Sequence, residues 1–493
     1  MSLLAKQTIK SSIYSYLGVV IGYITTIHLL PEFLSTAEIG NIRLIQNYSR
    51  LFSNLLLFGI PLTTIRIFPK IDSLTDRHFG FLNIAVFGGL VASALFVLLF
   101  SLTKNILFID DIEKSEIFGE YIYLILPFTI VLIFFNLFDA YATALKQSTI
   151  GVFLRDFVFR IGFIGFLLLL IFNILSYKGF MTGLWINEFI VLLLLVAFLV
   201  SQKQFFLSTK ITIWKKVKKS EFIRLSSFNW LSSISQIAVI MIDTLMIGKM
   251  IGDSGVGVYS TYFYMASIML IPSKSLLKIS GPILSEAFNS NNIQRVKEVY
   301  QKSASNQFIT GGFIFFNLLI GLPVILKLLG DDFSSGFWII PFVGAGYMFR
   351  LGTGIKAKII ATSEYYSYNS YLTFLFIVLL VVTNYFGISY FGLSGAAFAT
   401  MISSFIYNIS GLIVLHLKLK IYPWSKNLKR SLIFLTSLSL PFTSLSFALD
   451  SVTYSFIISA SFSLLFLIVL IKSRLSADII ALLTKIPILN KFV

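Results

Sequence analysis

The chain has 493 residues, of which 57% are apolar and only 12% charged, with a mean hydropathy of +0.88. A soluble fold of this length cannot hide so much apolar surface, whereas a bilayer requires none of it to be hidden. The formal charge of +17 does not point to nucleic acid, because the basic residues fall in short segments between apolar runs, the pattern of membrane topology. With no cysteine, disulfides, thiol chemistry and a Cys-based metal site are excluded; three scattered histidines (His28, His78, His416) without a His-Glu-x-x-His pattern argue against a metal enzyme, and no cofactor is expected. The N-terminus lacks the small-residue cleavage pattern of a signal peptide.

About 20 mostly apolar residues span ~30 Å of hydrocarbon. Runs of that kind predict helices near 11–31, 40–68, 79–102, 118–145, 150–174 and 180–201. A second series follows near 222–250, 255–287, 306–329, 336–360, 367–390 and 393–417, with two more near 429–448 and 452–472. The expected fold is therefore an all-α polytopic membrane protein of about 14 transmembrane helices. Its organisation reads as a six-helix bundle (1–201), a basic connector (202–221), a second six-helix bundle (222–417) and two extra helices with a tail (418–493). With the N-terminus inside, 27 Lys and Arg fall in inside segments and five in outside loops. The inside set includes the connector cluster Lys203, Lys210, Lys215, Lys216, Lys218 and Lys219; the outside five are Lys104, Lys114, Lys178, Lys249 and Lys327, beside acids such as Asp110 and Asp111. Both termini are thus expected in the cytoplasm. No loop is long enough to be a soluble domain.

The halves echo one another. Shifted by 217 positions, Leu34–Ile42 falls on Ile251–Tyr259, with Gly40 and Gly257 coinciding. Both are turns leading into an even-numbered helix, so the repeat is parallel and places a solute path between two bundles. These turns, with Ile-Asp-x-x-x-Ile-Gly at Ile242–Gly248, resemble polysaccharide-type flippases of the multidrug/oligosaccharidyl-lipid/polysaccharide (MOP) exporter superfamily, in particular the O-antigen-type (Wzx-like) transporters. The resemblance implies a cation-lined cavity that takes an undecaprenyl-pyrophosphate-linked oligosaccharide across the bacterial cytoplasmic (inner) membrane for O-antigen or capsule synthesis. It also implies that the chain is no enzyme. Its partners would be the lipid-linked substrate and membrane lipids. A monomer is expected, with a polysaccharide polymerase or glycosyltransferases as candidate contacts.

Ionisable residues within spans are costly and face a cavity or a partner. The basic ones are Arg43, Arg50, Arg66, Arg160, Lys274, Lys278 and Arg350, against Asp139, Glu188 and Asp243. A basic interior suits a pyrophosphate, which guanidinium binds through paired donors. Arg50, Arg350, Arg43, Lys274 and Lys278 are the candidate pyrophosphate ligands; Arg50 and Arg350, the deepest, line a cavity or make structural ion pairs, whereas Arg43, Lys274 and Lys278 line it or snorkel. Snorkelling accounts for Arg66, and pairing with Asp156 for Arg160. Asp243 and Glu188 could bind a coupling H⁺ or Na⁺ or neutralise a neighbouring Arg; Asp139 reads as structural. Gly18-x-x-x-Gly22 and Gly248-x-x-x-Gly252 allow close helix packing, and Pro61, Pro127, Pro272, Pro323 and Pro341 could kink helices. The rival readings are a multidrug exporter, expected to have a more acidic cavity, and a lipid II flippase. A polysaccharide polymerase or ligase would need a large outside loop, which is not seen here.

Overall fold

A computed structural model describes residues 3–71, 80–205, 214, 218–449, 451–473, 475–476 and 478–480. Among the described residues every regular element is helical. The connector lysines Lys210, Lys215 and Lys216, the tail lysines Lys485 and Lys491, and the side chain of Lys278 lie outside them.

Among the described residues eight helices are individually long and apolar enough to cross a membrane, and up to ten if two bent pairs are each counted as one span. Several expected single spans are broken. The second becomes Thr36–Leu56 and Ile60–Ile71, bent by 53°; Phe58 and Gly59 between them hold φ of 46° and 68°, which ends any helix. The ninth becomes Ile293–Ile320 and Leu322–Leu329, bent by 55°. The eleventh and twelfth run together as Ser367–Leu419, interrupted by non-helical Gly392. Pro61, Pro127, Pro272, Pro323 and Pro341 all sit in the first turn of a helix, where the missing N–H is not needed. Pro61 and Pro323 stand at the two sharp bends, where a new helix starts at the proline.

The chain forms two compact units, Met1–Gly257 and Val258–Val493. In the first, Ile125–Ala144 is central and packs on Thr36–Leu56, Ile60–Ile71, Phe81–Leu107 and Tyr177–Ser201. Burial of Phe135, Phe138, Tyr141 and Leu195 makes its core. Lys219–Met250 packs on Thr36–Leu56 and Ile60–Ile71 of the same unit. In the second, Ile293–Ile320 is central, and the last two helices, Lys426–Leu449 and Val452–Ser473, pack directly on it. Leu435, Phe462 and Phe466 share one apolar core with Phe308 and Phe315.

The two echoing turns meet within the first unit. A Cβ on Gly40 would sit 1.7 Å from the Asp253 carbonyl oxygen, and one on Gly257 would sit 1.9 Å from that of Thr36. Asp253 lies 217 residues after Thr36, as Gly257 does after Gly40, so the contact is reciprocal. The Thr36 and Ser254 hydroxyls bridge it at 2.5 Å. Gly18 and Gly248 are packing glycines too: a Cβ would meet the Asp156 backbone and Leu44 respectively.

Candidate functional site

Arg43, Arg50, Arg155 and Arg160 gather in the first unit beside two π-helical turns, the second of which carries Arg155. Such turns insert an extra residue into a helix and redirect the side chains beside it. The first, Ile24–Leu29, presents Thr26, whose hydroxyl accepts from Arg43 Nη2 at 3.1 Å. The second, Phe153–Val158, carries Arg155 and Asp156 and packs on the Leu3–Tyr23 helix. There the Ser15 hydroxyl donates to Asp156 Oδ2 at 2.6 Å, and Arg160 donates to the Gly18 carbonyl. Gly151 lets the preceding turn close onto the Asp139 carboxylate.

Arg155 is the residue that sequence reasoning missed. Counted there among inside-loop cations, it instead lies within the bundle. Its Nη1 is 3.6 Å from Glu188 Oε1, and its guanidinium carbon is 4.3 Å from the centre of the Phe135 ring. Glu188 is 2% exposed and its Oε2 has no hydrogen-bond partner. Of the two roles open to Glu188, neutralising a neighbouring Arg is the one the geometry displays.

Arg50, on Thr36–Leu56, makes no ion pair among the described residues. The charges acting on it are Arg155, Glu188, Arg43 and Arg160: three guanidiniums and one carboxylate. A guanidinium left unpaired inside a bundle is expensive unless water or an anionic ligand solvates it. The charge acting on Arg50 is net positive, the arrangement that favours an anion.

In the second unit, Arg350 is exposed on Ile339–Gly352. Its charge acts on Lys356 and Tyr407. Lys356 is a second residue that the loop count hid. It is 3% exposed, with Nζ 4.1 Å from the centre of the Tyr407 ring, and Gly411 makes room for its stem. A buried ammonium over an aromatic face is a stable cation–π pair that leaves its charge uncompensated. Lys274 is exposed on Ile271–Asn289, and Arg66 is exposed on Ile60–Ile71. Asp243, 5% exposed, lies on Lys219–Met250.

No family model matches the chain, and no curated protein matches it in sequence. Solved structures do match in fold. The lipid II flippase MurJ in an inward closed conformation superposes with a TM-score of 0.71 at 12% identity, covering 95% of this chain and 100% of that one. An inward-facing multidrug resistance MATE family transporter of the MOP superfamily gives 0.64 at 14% identity, covering 85% and 95%. An outward-facing one gives 0.55 at 13%, covering 84% and 96%. The fold is that of MOP-superfamily transporters, and the chain is a multi-pass membrane protein.

Proposed function

We propose that the chain is an alternating-access flippase that moves an undecaprenyl-pyrophosphate-linked oligosaccharide, an O-antigen or capsule repeat unit, across the bacterial cytoplasmic membrane. Both termini and the 202–221 connector then face the cytoplasm. The observation that carries this reading is Arg50, a guanidinium with no ion pair among the described residues, on which three other guanidiniums and one carboxylate act. A pyrophosphate supplies the missing negative charge and matches the guanidinium fork. Arg350, Lys274, Lys278 and Arg43 are the further ligands in this proposal. Asp243 and Glu188 are its candidate coupling sites for H⁺ or Na⁺. No bond is made or broken, and the chain works as a monomer.

The likeness to MurJ favours a second reading, in which the sugar on the same carrier is the peptidoglycan precursor. The basic surroundings of Arg50 run against a multidrug exporter for cationic drugs.

Reconstituted vesicles decide between these. With a fluorescent lipid-linked oligosaccharide in the membrane, the purified chain should expose the label to an impermeant quencher. The unmodified lipid II headgroup should compete weakly. No acceleration over protein-free vesicles would sink the flippase reading, and equal competition would favour lipid II. Elongation or ligation of the glycan by the purified chain would make it an enzyme.

A further inference from the structure

One buried acid has no part in that reading. Asp111 lies on the short Ile109–Lys114 helix, between the membrane-length helices Leu82–Leu107 and Phe118–Ala144 and outside both. It is 0% exposed. Both of its oxygens accept from the Tyr48 hydroxyl, at 2.9 and 3.0 Å. The Tyr48 ring is fixed edge-on to Phe108 at 4.8 Å and lies 6.0 Å from Phe118.

The charges facing Asp111 are few. Lys249, from Lys219–Met250, is the cation that acts on it, and Asp110 on its own helix opposes ionisation. The other helices packed against it add none. Lys104 of Phe81–Leu107 lies over the Tyr123 ring at 4.3 Å, and Glu120 acts on Tyr121 beside it on Phe118–Tyr121. Burial therefore dominates and pushes the Asp111 carboxyl up from 3.8 to about 6, since a desolvated carboxylate prefers its neutral form.

Asp111 sits inside a clasp. Lys249 Nζ donates to the Leu107 carbonyl and Lys114 Nζ to that of Met250, both at 3.2 Å. The Asp253 carboxylate accepts from the backbone N–H of Glu116 at 3.1 Å and of Ile117 at 3.0 Å. Gly248 closes the packing, because a Cβ there would lie 3.2 Å from Asp111 Oδ1. Residues 107–117 are thereby held on residues 248–253.

We propose that Asp111 is a proton-binding site whose occupancy holds this clasp shut, and that loss of the proton favours its separation. The meaning of separation, an opening to the face that charge assigns to the outside, rests on the transporter reading above. Packed, the carboxyl titrates near 6; hydrated after separation, it returns to about 3.8. The packed form thus binds a proton roughly 100-fold more tightly. Its advantage is complete below the hydrated value and is lost as pH rises through about 6. In an exporter facing an outside pH between about 3.8 and 6, closing would take up a proton from outside.

The test uses the purified full chain in nanodiscs without substrate. Infrared difference spectra follow the protonated carboxyl band. Spin labels at Glu113→Cys and Ile251→Cys follow the clasp, since the chain has no native cysteine to remove. A band fading near pH 6 is expected, absent in Asp111→Asn, with the label distance lengthening over the same range. Asp111→Asn should hold the short distance at every pH. Tyr48→Phe should move both transitions to higher pH, because the hydroxyl favours the charged form. A band untouched by Asp111→Asn, or a distance with the same pH course in that variant, overturns the proposal. Should Asp111→Asn fail to fold, Tyr48→Phe decides: an upward shift supports the site and an unchanged midpoint removes it. With no substrate present, failure here leaves the flippase reading as it was, and failure of the vesicle assay leaves the proton site untouched.

Discussion

Arg155 and Arg50 present the same guanidinium under opposite conditions, and the difference can be measured. Arg155→Ala would leave Glu188 buried with neither oxygen partnered, at a cost of ~3–5 kcal/mol. The pair Arg155→Leu with Glu188→Leu should recover most of that in thermal unfolding in detergent. Arg50→Ala orphans no acid, so membrane abundance should stay near wild type while transport is abolished; Arg50→Lys, lacking the fork, should transport at a reduced rate. The same pattern is expected at Arg350. Normal abundance with normal transport in both Ala variants would remove the two from the site. Arg50 and Arg350 stand out in the sequence because each is a charge within an apolar run; the structure leaves Arg50 half-buried and Arg350 exposed. Arg155 and Lys356 do not stand out, because they lie near run ends, where counting cations by loop claims them. Asp111 reads as one acid in an acidic loop, and nothing in its neighbours' identity announces that Tyr48, packed on Phe108 and Phe118, will meet it.

Helices were legible as apolar length, and their breaks were not. Length alone cannot register positive φ at Phe58 and Gly59, nor the 55° turn before Leu322–Leu329. Pro61 and Pro323 signalled these two places as kinks, and each stands where a new helix starts at the bend. The glycine echo at Gly40 and Gly257 was readable as repetition, though not as a contact between the two copies. Alanine at either position would drive a Cβ into a backbone oxygen that no rotamer change can move. Each substitution should cost ~1–3 kcal/mol. Since both jam one contact, the double variant should cost clearly less than the sum. Additive losses in thermal unfolding would show the two glycines to be independent.

For the whole chain, charge asymmetry predicts orientation without reference to coordinates. Cysteine placed at Ser35 or Ser334, both exposed, should react with an impermeant maleimide in intact cells, and cysteine at Ser208 should not. Reaction at Ser208 from outside would invert the topology. The Ser35 variant also loses the cap that its hydroxyl gives Glu38 N–H, a cost of ~1 kcal/mol. The reciprocal packing of Thr36–Gly40 on Asp253–Gly257 has a further consequence. A patch that meets its own counterpart is the contact a symmetric dimer makes with itself, here enclosed in one polypeptide. Covalent continuity through the connector is then not what brings the two turns together. Two separately translated pieces, cut between residues 202 and 221, should find each other in the membrane and purify as a pair. Alanine at Gly40 and Gly257 should loosen that reunion more than it harms the uncut chain.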